Sequence, residues 1–193
     1  APLGRLLAAL IADEAVVVDD GGRYRATPRV LEPALALLSD GTVRGVSFPY
    51  MVELSAAVGY QVTLGVFEFP DIVFLESIFA IAGRVSSRLW YSARPLLVSH
   101  SGRLMVAFSP PFVADALLAE ATPADASAMR AELAELRDQG YIVFDRVVET
   151  NAPSLIALPI FDRTENAVAT LTVTRTTALD DAFLHDVLPK GLD

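Results

Sequence analysis

Two spacings of hydrophobic residues along the chain predict a mixture of helices and strands. Residues 5–12 form a short apolar run typical of a helix, and two β-prone runs, 15–18 and 23–25, flank a turn rich in Asp and Gly. Thr27 and Pro28 then favour the start of another helix, because Thr is a good N-cap and Pro suits the first turn. Helix, strand, tight turn and strand in this order are typical of the end of a winged helix-turn-helix.

The pattern after the Ser39-Asp40-Gly41 break predicts a larger lobe of mixed helices and strands. Apolar positions at helical spacing predict a helix from about Phe48, in the later part of 96–108, after Pro110, over 125–139 and after Asp180-Asp181. Alternating positions predict strands over 61–67, 72–77, 84–91, 155–161 and 167–174. Strands clustered with helices at the edges indicate an α+β lobe.

The composition is that of a folded, soluble protein. Hydrophobic residues make up 53% of the 193 residues, so the chain can bury a core. No apolar run reaches the roughly 18 residues that span a bilayer. The sequence contains no cysteine, which excludes disulfides, thiolate metal sites and cysteine nucleophiles. We therefore expect a cytoplasmic protein with no membrane partner.

The net charge of −9 argues against attraction of nucleic acid to the whole surface. A small basic contact surface on one lobe is still compatible with this charge. Lys190 is the only lysine, and the arginines that supply the other cations suit contacts to phosphate and base edges. This preference for arginine over lysine is equally typical of a genome with a biased base composition.

Six short stretches in a fixed order resemble one known family. They are Arg5–Leu10, Gly22–Arg25, Leu54–Gly59 with Val62–Leu64, Arg94–Arg103, Leu133–Tyr141, and Leu158–Asp162 with Leu171–Thr174. Together they resemble the IclR family of bacterial transcription regulators over nearly the whole chain. The first stretch is similar to the end of that family's recognition helix, and the second is similar to its wing.

The resemblance implies an α+β fold class, in which a GAF-like antiparallel sheet flanked by helices follows a partial winged helix-turn-helix and a linker helix. We assign residues 1–26 to the partial DNA-binding domain, 27–41 to the linker helix and 42–193 to the effector-binding domain. The family's first two DNA-binding helices have no counterpart in this sequence. The resemblance also implies three partners: operator DNA, a small-molecule effector, and further copies of the chain in a homodimer or homotetramer.

Eight residues of the second lobe are candidate ligand contacts by this resemblance. Backbone N–H groups near a helix start can meet an anion, and the hydroxyls of a Thr-x-Thr pair share one face of a strand. The candidates are Leu97, Ser99, His100, Ser101, Asp145, Leu155, Thr172 and Thr174. Six of the eight have an ordinary alternative, as a surface loop residue for His100 and Asp145, and as a strand or core residue for the threonines and leucines.

Two of these candidates depart from the family pattern. Leu97 stands where relatives usually carry a histidine, and Leu155 stands where they often carry a cysteine. Together with Phe144, these leucines favour a more apolar pocket and therefore an aromatic or longer-chain ligand.

Arg5, Arg23, Tyr24 and Arg25 are the candidate DNA contacts, because they fall in the recognition-helix and wing stretches. The alternative is that the arginines are ordinary surface residues, balanced by nearby acids such as Asp13 and Asp19.

The sequence predicts a regulator and not an enzyme. No Gly-x-Ser-x-Gly elbow is present, and His100 and His185 are too far apart in sequence to suggest a metal site, so we expect neither a metal nor another cofactor. The hypothesis is a DNA-binding transcriptional regulator of the IclR type, whose operator binding is controlled by an organic acid or aromatic effector. The alternative is a GAF-like binding module that acts through protein partners without binding DNA.

Overall fold

The computed structural model of the protein describes residues 2–38, 41–145, 153–175, 183–185 and 187–188. The chain divides into two compact units, residues 1–45 and 46–193. The segments that the sequence assigned to a wing and to a linker helix lie together in the first unit.

The first unit contains two helices and a two-stranded hairpin. Its elements are α1 (Pro2–Ala12), β1 (Val16–Val18), β2 (Tyr24–Ala26), a 3-10 helix (Pro28–Val30) and α2 (Leu31–Leu38). Asp19 shapes the turn, because its Oδ1 accepts hydrogen bonds from the backbone N–H groups of Gly21 and Arg23. Thr27 caps the 3-10 helix by accepting a hydrogen bond from the N–H of Arg29, as the Thr-Pro pair predicted.

The second unit is built on a six-stranded antiparallel sheet with helices around it. The remaining elements are α3 (Val43–Val58), β3 (Gln61–Glu68), β4 (Asp71–Ile81), β5 (Arg84–Pro95), α4 (His100–Ala107), α5 (Pro111–Leu117), α6 (Pro123–Gln139), β6 (Ile142–Phe144), β7 (Ser154–Phe161) and β8 (Ala167–Arg175). The strand order is β5-β4-β3-β8-β7-β6. This confirms the predicted α+β class. No helix in the described parts of the chain is both long and apolar enough to cross a membrane.

Side chains alternate between the two faces of the central strands, and both faces are buried. Val62, Leu64 and Val173 point to one face and are fully buried. Thr63 and Thr172, which are paired across β3 and β8, point to the other. Helices α4 and α6 cover part of that second face with an apolar cluster of Ile72, Leu96, Leu104, Met105, Val106, Ala107, Leu133, Leu136, Ile142 and Ala157.

The β4–β5 hairpin is longer than the sequence predicted, since strands were expected only over 72–77 and 84–91. The two strands pair from Asp71↔Pro95 to Ile81↔Arg84. This pairing extends β5 over positions where hydrophobic and polar residues do not clearly alternate. Glu76 is fully buried in β4, and the hydroxyl of Ser87 on β5 donates a hydrogen bond to its carboxylate.

The structure differs from the predicted elements at three other places. Helix α3 begins at Val43 rather than near Phe48, because Thr42 caps it by accepting a hydrogen bond from the N–H of Gly45 at 3.1 Å. Strand β6 was not predicted, because three residues are too few to show alternation. The predicted final helix starts at Asp180-Asp181, outside the described residues, although 183–185 and 187–188 are helical.

The first turn of α4 lies directly against the segment that follows β5. A Cβ atom placed on Gly102 would lie 2.3 Å from the carbonyl oxygen of Leu96 and 2.8 Å from its Cα. Since these are backbone atoms, a side chain could be accommodated only if the helix or the segment moved. Gly102 therefore sets the distance between α4 and the end of β5.

We expect Gly102→Ala to lower the free energy of unfolding by about 1–3 kcal/mol or more, because overpacking against backbone cannot be relieved by a rotamer change. Urea unfolding followed by circular dichroism measures this change. The matched control is Gly4→Ala in α1, where a Cβ meets nothing within 4 Å. That control should be neutral or stabilising, as alanine favours helix over glycine by roughly 1 kcal/mol. Equal stability of Gly102→Ala and the wild-type chain would contradict the packing argument.

Candidate ligand-binding site

A cavity of about 540 Å³ lies on the sheet face next to the start of α4. Strands β3, β4, β5, β7 and β8 and the first turn of α4 all contribute to it. It is lined by Gln61, Thr63, Phe74, Ser92, Arg94, Val98, Ser99, His100, Ser101, Pro153, Leu155, Thr172 and Thr174. The cavity therefore occupies the part of the face that the apolar cluster under α4 and α6 leaves uncovered.

Buried hydroxyl groups form the polar base of this cavity. Thr63 and Thr172 are direct neighbours on β3 and β8, and their side chains share one face. The hydroxyl of Thr172 is hydrogen-bonded to Ser101 at 2.9 Å, and that of Thr63 to Ser77 at 2.8 Å. All four residues are at most 9% exposed, so each hydroxyl needs the partner that it has. The Ser101–Thr172 bond also ties α4 to the sheet.

The start of α4 presents backbone donors to the cavity. Ser99 is the N-cap, and its Oγ accepts a hydrogen bond from the N–H of Gly102 at 3.3 Å. The other N–H groups of the first turn lack partners within the helix and carry partial positive charge. A carboxylate or phenolate oxygen is the kind of group that such donors favour.

His100 is neutral and offers a hydrogen-bond donor at this position. A nitrogen of the Arg103 guanidinium lies 2.7 Å from its Nδ1. Arginine can only donate, so Nδ1 accepts and the ring proton resides on Nε2. Burial lowers the pKa of His100, and the positive charge of Arg103 lowers it further. The ring also stacks on Phe144, with centroids 4.0 Å apart.

Arg103 is held in turn by an acidic residue of α6. Its Nε lies 3.3 Å from Oε1 of Glu132, close enough for an ion pair, but the geometry is not that of a hydrogen bond. The Glu132–Arg103–His100 series therefore fixes the orientation of the imidazole from the side away from the cavity.

The structure brings six of the eight predicted ligand contacts together: Ser99, His100, Ser101, Leu155, Thr172 and Thr174 line the cavity. Leu97 lies elsewhere, packed against the apolar cluster. Asp145 is exposed and accepts a hydrogen bond from Ser154 at 3.0 Å. Phe144 reaches the site only through its stacking on His100.

The candidate DNA contacts lie in the first unit and are all exposed. Arg23 and Arg25 both donate through Nε to Oδ2 of Asp19, at 3.2 and 2.8 Å, so one carboxylate orients two guanidinium groups at the hairpin. Among the described residues, the terminal nitrogens of these two arginines have no hydrogen-bond partner. Arg5 lies on α1 and Tyr24 on β2.

Sequence reasoning missed five cavity residues on the sheet: Gln61, Thr63, Phe74, Ser92 and Arg94. Arg94 stood in one of the motifs of the family resemblance, but nothing in the local pattern showed which face of β5 it occupies. A β-bulge in the β4–β5 pairing shifts the register between Phe74 and Glu76, and strand alternation cannot be followed across it.

A second cavity, of about 560 Å³, lies near the other end of α4 and is almost entirely apolar. It is lined by Phe67, Phe69, Phe108, Ser109, Pro110, Phe112, Val113, Ala116, Asn166 and Ala167. Ser109 already donates to the Met105 carbonyl, and the amide of Asn166 donates to Thr164. The first cavity is the better candidate site, because several polar groups converge on it.

Comparison with known proteins identifies a family. The sequence model of the family "Bacterial transcriptional regulator IclR C-terminal" matches residues 35–182. The HTH-type transcriptional regulator XynR of Escherichia coli (strain K12) is 26% identical over an alignment of 179 positions, which covers 86% of this chain and 69% of XynR.

Two solved structures share the fold. One is a proposed IclR transcriptional regulator from Silicibacter sp. TM1040, with a TM-score of 0.75, 25% identity and coverage of 96% of this chain and 77% of that chain. The other is an IclR homologue from Microbacterium hydrocarbonoxydans in complex with 4-hydroxybenzoate, with a TM-score of 0.69, 21% identity and coverage of 97% and 81%.

We expect the pKa of His100 to lie below its ordinary value of 6.5. Arg103→Gln should raise this pKa only in part, since burial, the larger cause, remains. Because the folded state favours the neutral ring, the His100 contribution to stability is complete above pH 6.5 and declines as the pH falls. An NMR titration of the imidazole measures the pKa, and His100→Gln assigns the signal. A wild-type pKa at or above 6.5 would exclude the neutral, Arg103-bound ring.

Proposed function

The chain belongs to the IclR family of bacterial transcriptional regulators, and we propose that it binds operator DNA under the control of a small aromatic or organic-acid effector. The effector site is the polar cavity beside α4, and the wing hairpin contacts DNA. The protein acts as a regulator and not as an enzyme, in keeping with relatives that are named as transcriptional regulators.

One observation carries the effector proposal: a cavity of about 540 Å³ joins a helix start, a neutral histidine and several hydroxyls to two apolar side chains, Phe74 and Leu155. This volume suits a single-ring compound. Hydroxyls and N–H groups can bind an oxygen substituent, while Phe74 and Leu155 pack against a ring. The structural relative in complex with 4-hydroxybenzoate supports a ligand of this size and polarity.

Regulation requires that the effector favour one arrangement of the assembled regulator over another. We propose a homodimer or homotetramer on the operator, in which effector binding changes DNA affinity by a coupling free energy of about 1–3 kcal/mol. The first turn of α4 is the element through which the effector acts, because it lines the cavity and is fixed to the sheet by the Ser101–Thr172 hydrogen bond.

The wing hairpin supports DNA contact by geometry rather than by net charge. Residues 1–45 contain five arginines and six acidic residues, so bulk attraction to DNA is weak. The side chains of Arg23 and Arg25 are nevertheless 76% and 62% exposed, and Asp19 holds both at the edge of the hairpin. Two oriented guanidinium groups can contact phosphates or base edges in a fixed register.

We expect 4-hydroxybenzoate or another member of a panel of aromatic and aliphatic acids to raise the melting temperature of the protein. Thr174→Val and Thr172→Val should then weaken binding by about 2- to 10-fold, since each removes one hydroxyl partner. Isothermal titration calorimetry measures the affinity, and Thr164→Val in the β7–β8 loop is the matched control. Unchanged affinity in both cavity variants would remove these hydroxyls from the site, and no response to any acid would refute the effector proposal.

We expect Arg25→Ala to weaken binding to the DNA upstream of the protein's own gene by about 5-fold or more in a gel-shift titration. The loss should shrink as salt rises, because counterion release contributes less. Arg163→Ala, an exposed arginine in the second unit, should bind DNA as the wild type does. Equal losses in the two variants would indicate a nonspecific charge effect, and no loss in either would remove the hairpin from the DNA contact.

A further inference from the structure

We propose that Arg94 binds the acidic group of the effector and restricts the cavity to anionic ligands. The proposal rests on the proposed function, since it takes the cavity beside α4 as the effector site. It concerns a residue of β5 that faces the hydroxyl cluster from the far side of the cavity.

The charge distribution of the cavity favours an anion. Arg94 is the one ionised side chain among the described lining residues, and none of those residues is acidic. Within the described parts of the chain, no carboxylate lies within ion-pair distance of Arg94. This is notable in a sequence with 24 acidic and 15 basic residues, where Arg23, Arg25, Arg29, Arg103 and Arg130 all pair with carboxylates. A guanidinium in this position is therefore available to a ligand.

The register of the sheet places Arg94 well away from the hydroxyls. Arg94 pairs with Ile72, and Ser92 with Phe74, so these side chains lie over β5 and β4. Thr172 and Thr174 lie on β8, three strand spacings from β5. At about 4.8 Å per spacing, the backbones of β5 and β8 are roughly 14 Å apart. Arg94 is level with Phe67, four residues along β3 from Thr63, the partner of Thr172, which adds an offset of about 13 Å along the strands. The two ends of the site are therefore separated by a gap of roughly 19 Å between backbones, which the long Arg94 side chain and a ligand with one ring span together.

Phe74 occupies the middle of this gap. Its ring lines the cavity and packs against the apolar cluster on its other side. The site therefore has three parts: a guanidinium on β5, an aromatic surface on β4, and hydrogen-bonding groups on β8 and α4. A ligand that satisfies all three has an acidic group at one end, an apolar ring or chain in the middle, and a hydroxyl or carbonyl group at the other end.

The chemistry of the two ends explains why the acid should bind to Arg94. The planar guanidinium donates two parallel hydrogen bonds to a carboxylate and supplies a full positive charge. The opposite end offers hydroxyls, a neutral imidazole and the N–H groups at the start of α4, which carry only partial charge and therefore attract an anion less strongly than a guanidinium does. Because Arg94 is exposed, solvent screens part of its attraction, and the expected effect is moderate.

The experiment compares carboxylates with their uncharged amides. Benzoate and benzamide, 4-hydroxybenzoate and 4-hydroxybenzamide, and phenylacetate and phenylacetamide are titrated calorimetrically at neutral pH into wild type, Arg94→Gln and Arg94→Lys. We expect the wild type to prefer the carboxylate of each pair that binds. Arg94→Gln should lower carboxylate affinity by about 5- to 20-fold and leave amide affinity unchanged. Arg94→Lys should recover part of the loss.

Arg84→Gln is the matched control, since Arg84 lies on the same strand but does not line the cavity. It should bind every probe as the wild type does. Equal weakening of acid and amide by Arg94→Gln, or no weakening of either, would overturn the role of Arg94 while the effector site stands. Tighter wild-type binding of the amides would do the same. No binding of any probe by the wild type would overturn the effector site and this proposal together.

Discussion

The close contact between Gly102 and the backbone of Leu96 fixes where the first turn of α4 lies against the sheet. Three further interactions depend on this position: the Ser99 cap, the Ser101–Thr172 hydrogen bond, and the contact of His100 with Arg103. Each of them involves a residue between Ser99 and Arg103. The absence of one side chain therefore sets the geometry of a helix start that lines the cavity.

The cavity exists because two parts of the same sheet face are covered differently. Under α4 and α6, large apolar side chains such as Leu104 and Leu133 fill the space between helix and sheet. Beside them the strands carry threonines, whose hydroxyls pair with serines: Thr63 with Ser77 on β4, and Thr172 with Ser101 in the first turn of α4. These pairs satisfy the buried hydroxyls of Thr63 and Thr172 without filling the space above them. As a result, a polar cavity lies next to the apolar cluster under α4 and α6.

The two units differ in the physical means of recognition that we propose for them. In residues 1–45 the charges nearly cancel, so the proposed contact with DNA depends on how Asp19 orients Arg23 and Arg25. In the second unit the site relies on burial and shape, with a neutral histidine whose proton position is set by a neighbouring arginine. In both units a charged neighbour orients a side chain of the proposed site. Asp19 orients Arg23 and Arg25 in the hairpin, and Arg103 orients His100 beside the cavity.

The sequence by itself determined most of the element types and the α+β class, because caps, turns and strand alternation are local signals. The family was indicated separately, by the resemblance of six ordered stretches. That resemblance also indicated six of the cavity residues through their positions in those stretches. The length of β4 and β5, the presence of β6 and the place of Arg94 were decided only by tertiary structure. Pairing with a neighbouring strand sustains β5 and β6, and a bulge changes the alternation along β5. The placement of Leu97 in the core and Asp145 at the surface was decided in the same way, since local sequence does not record which neighbour a side chain packs against.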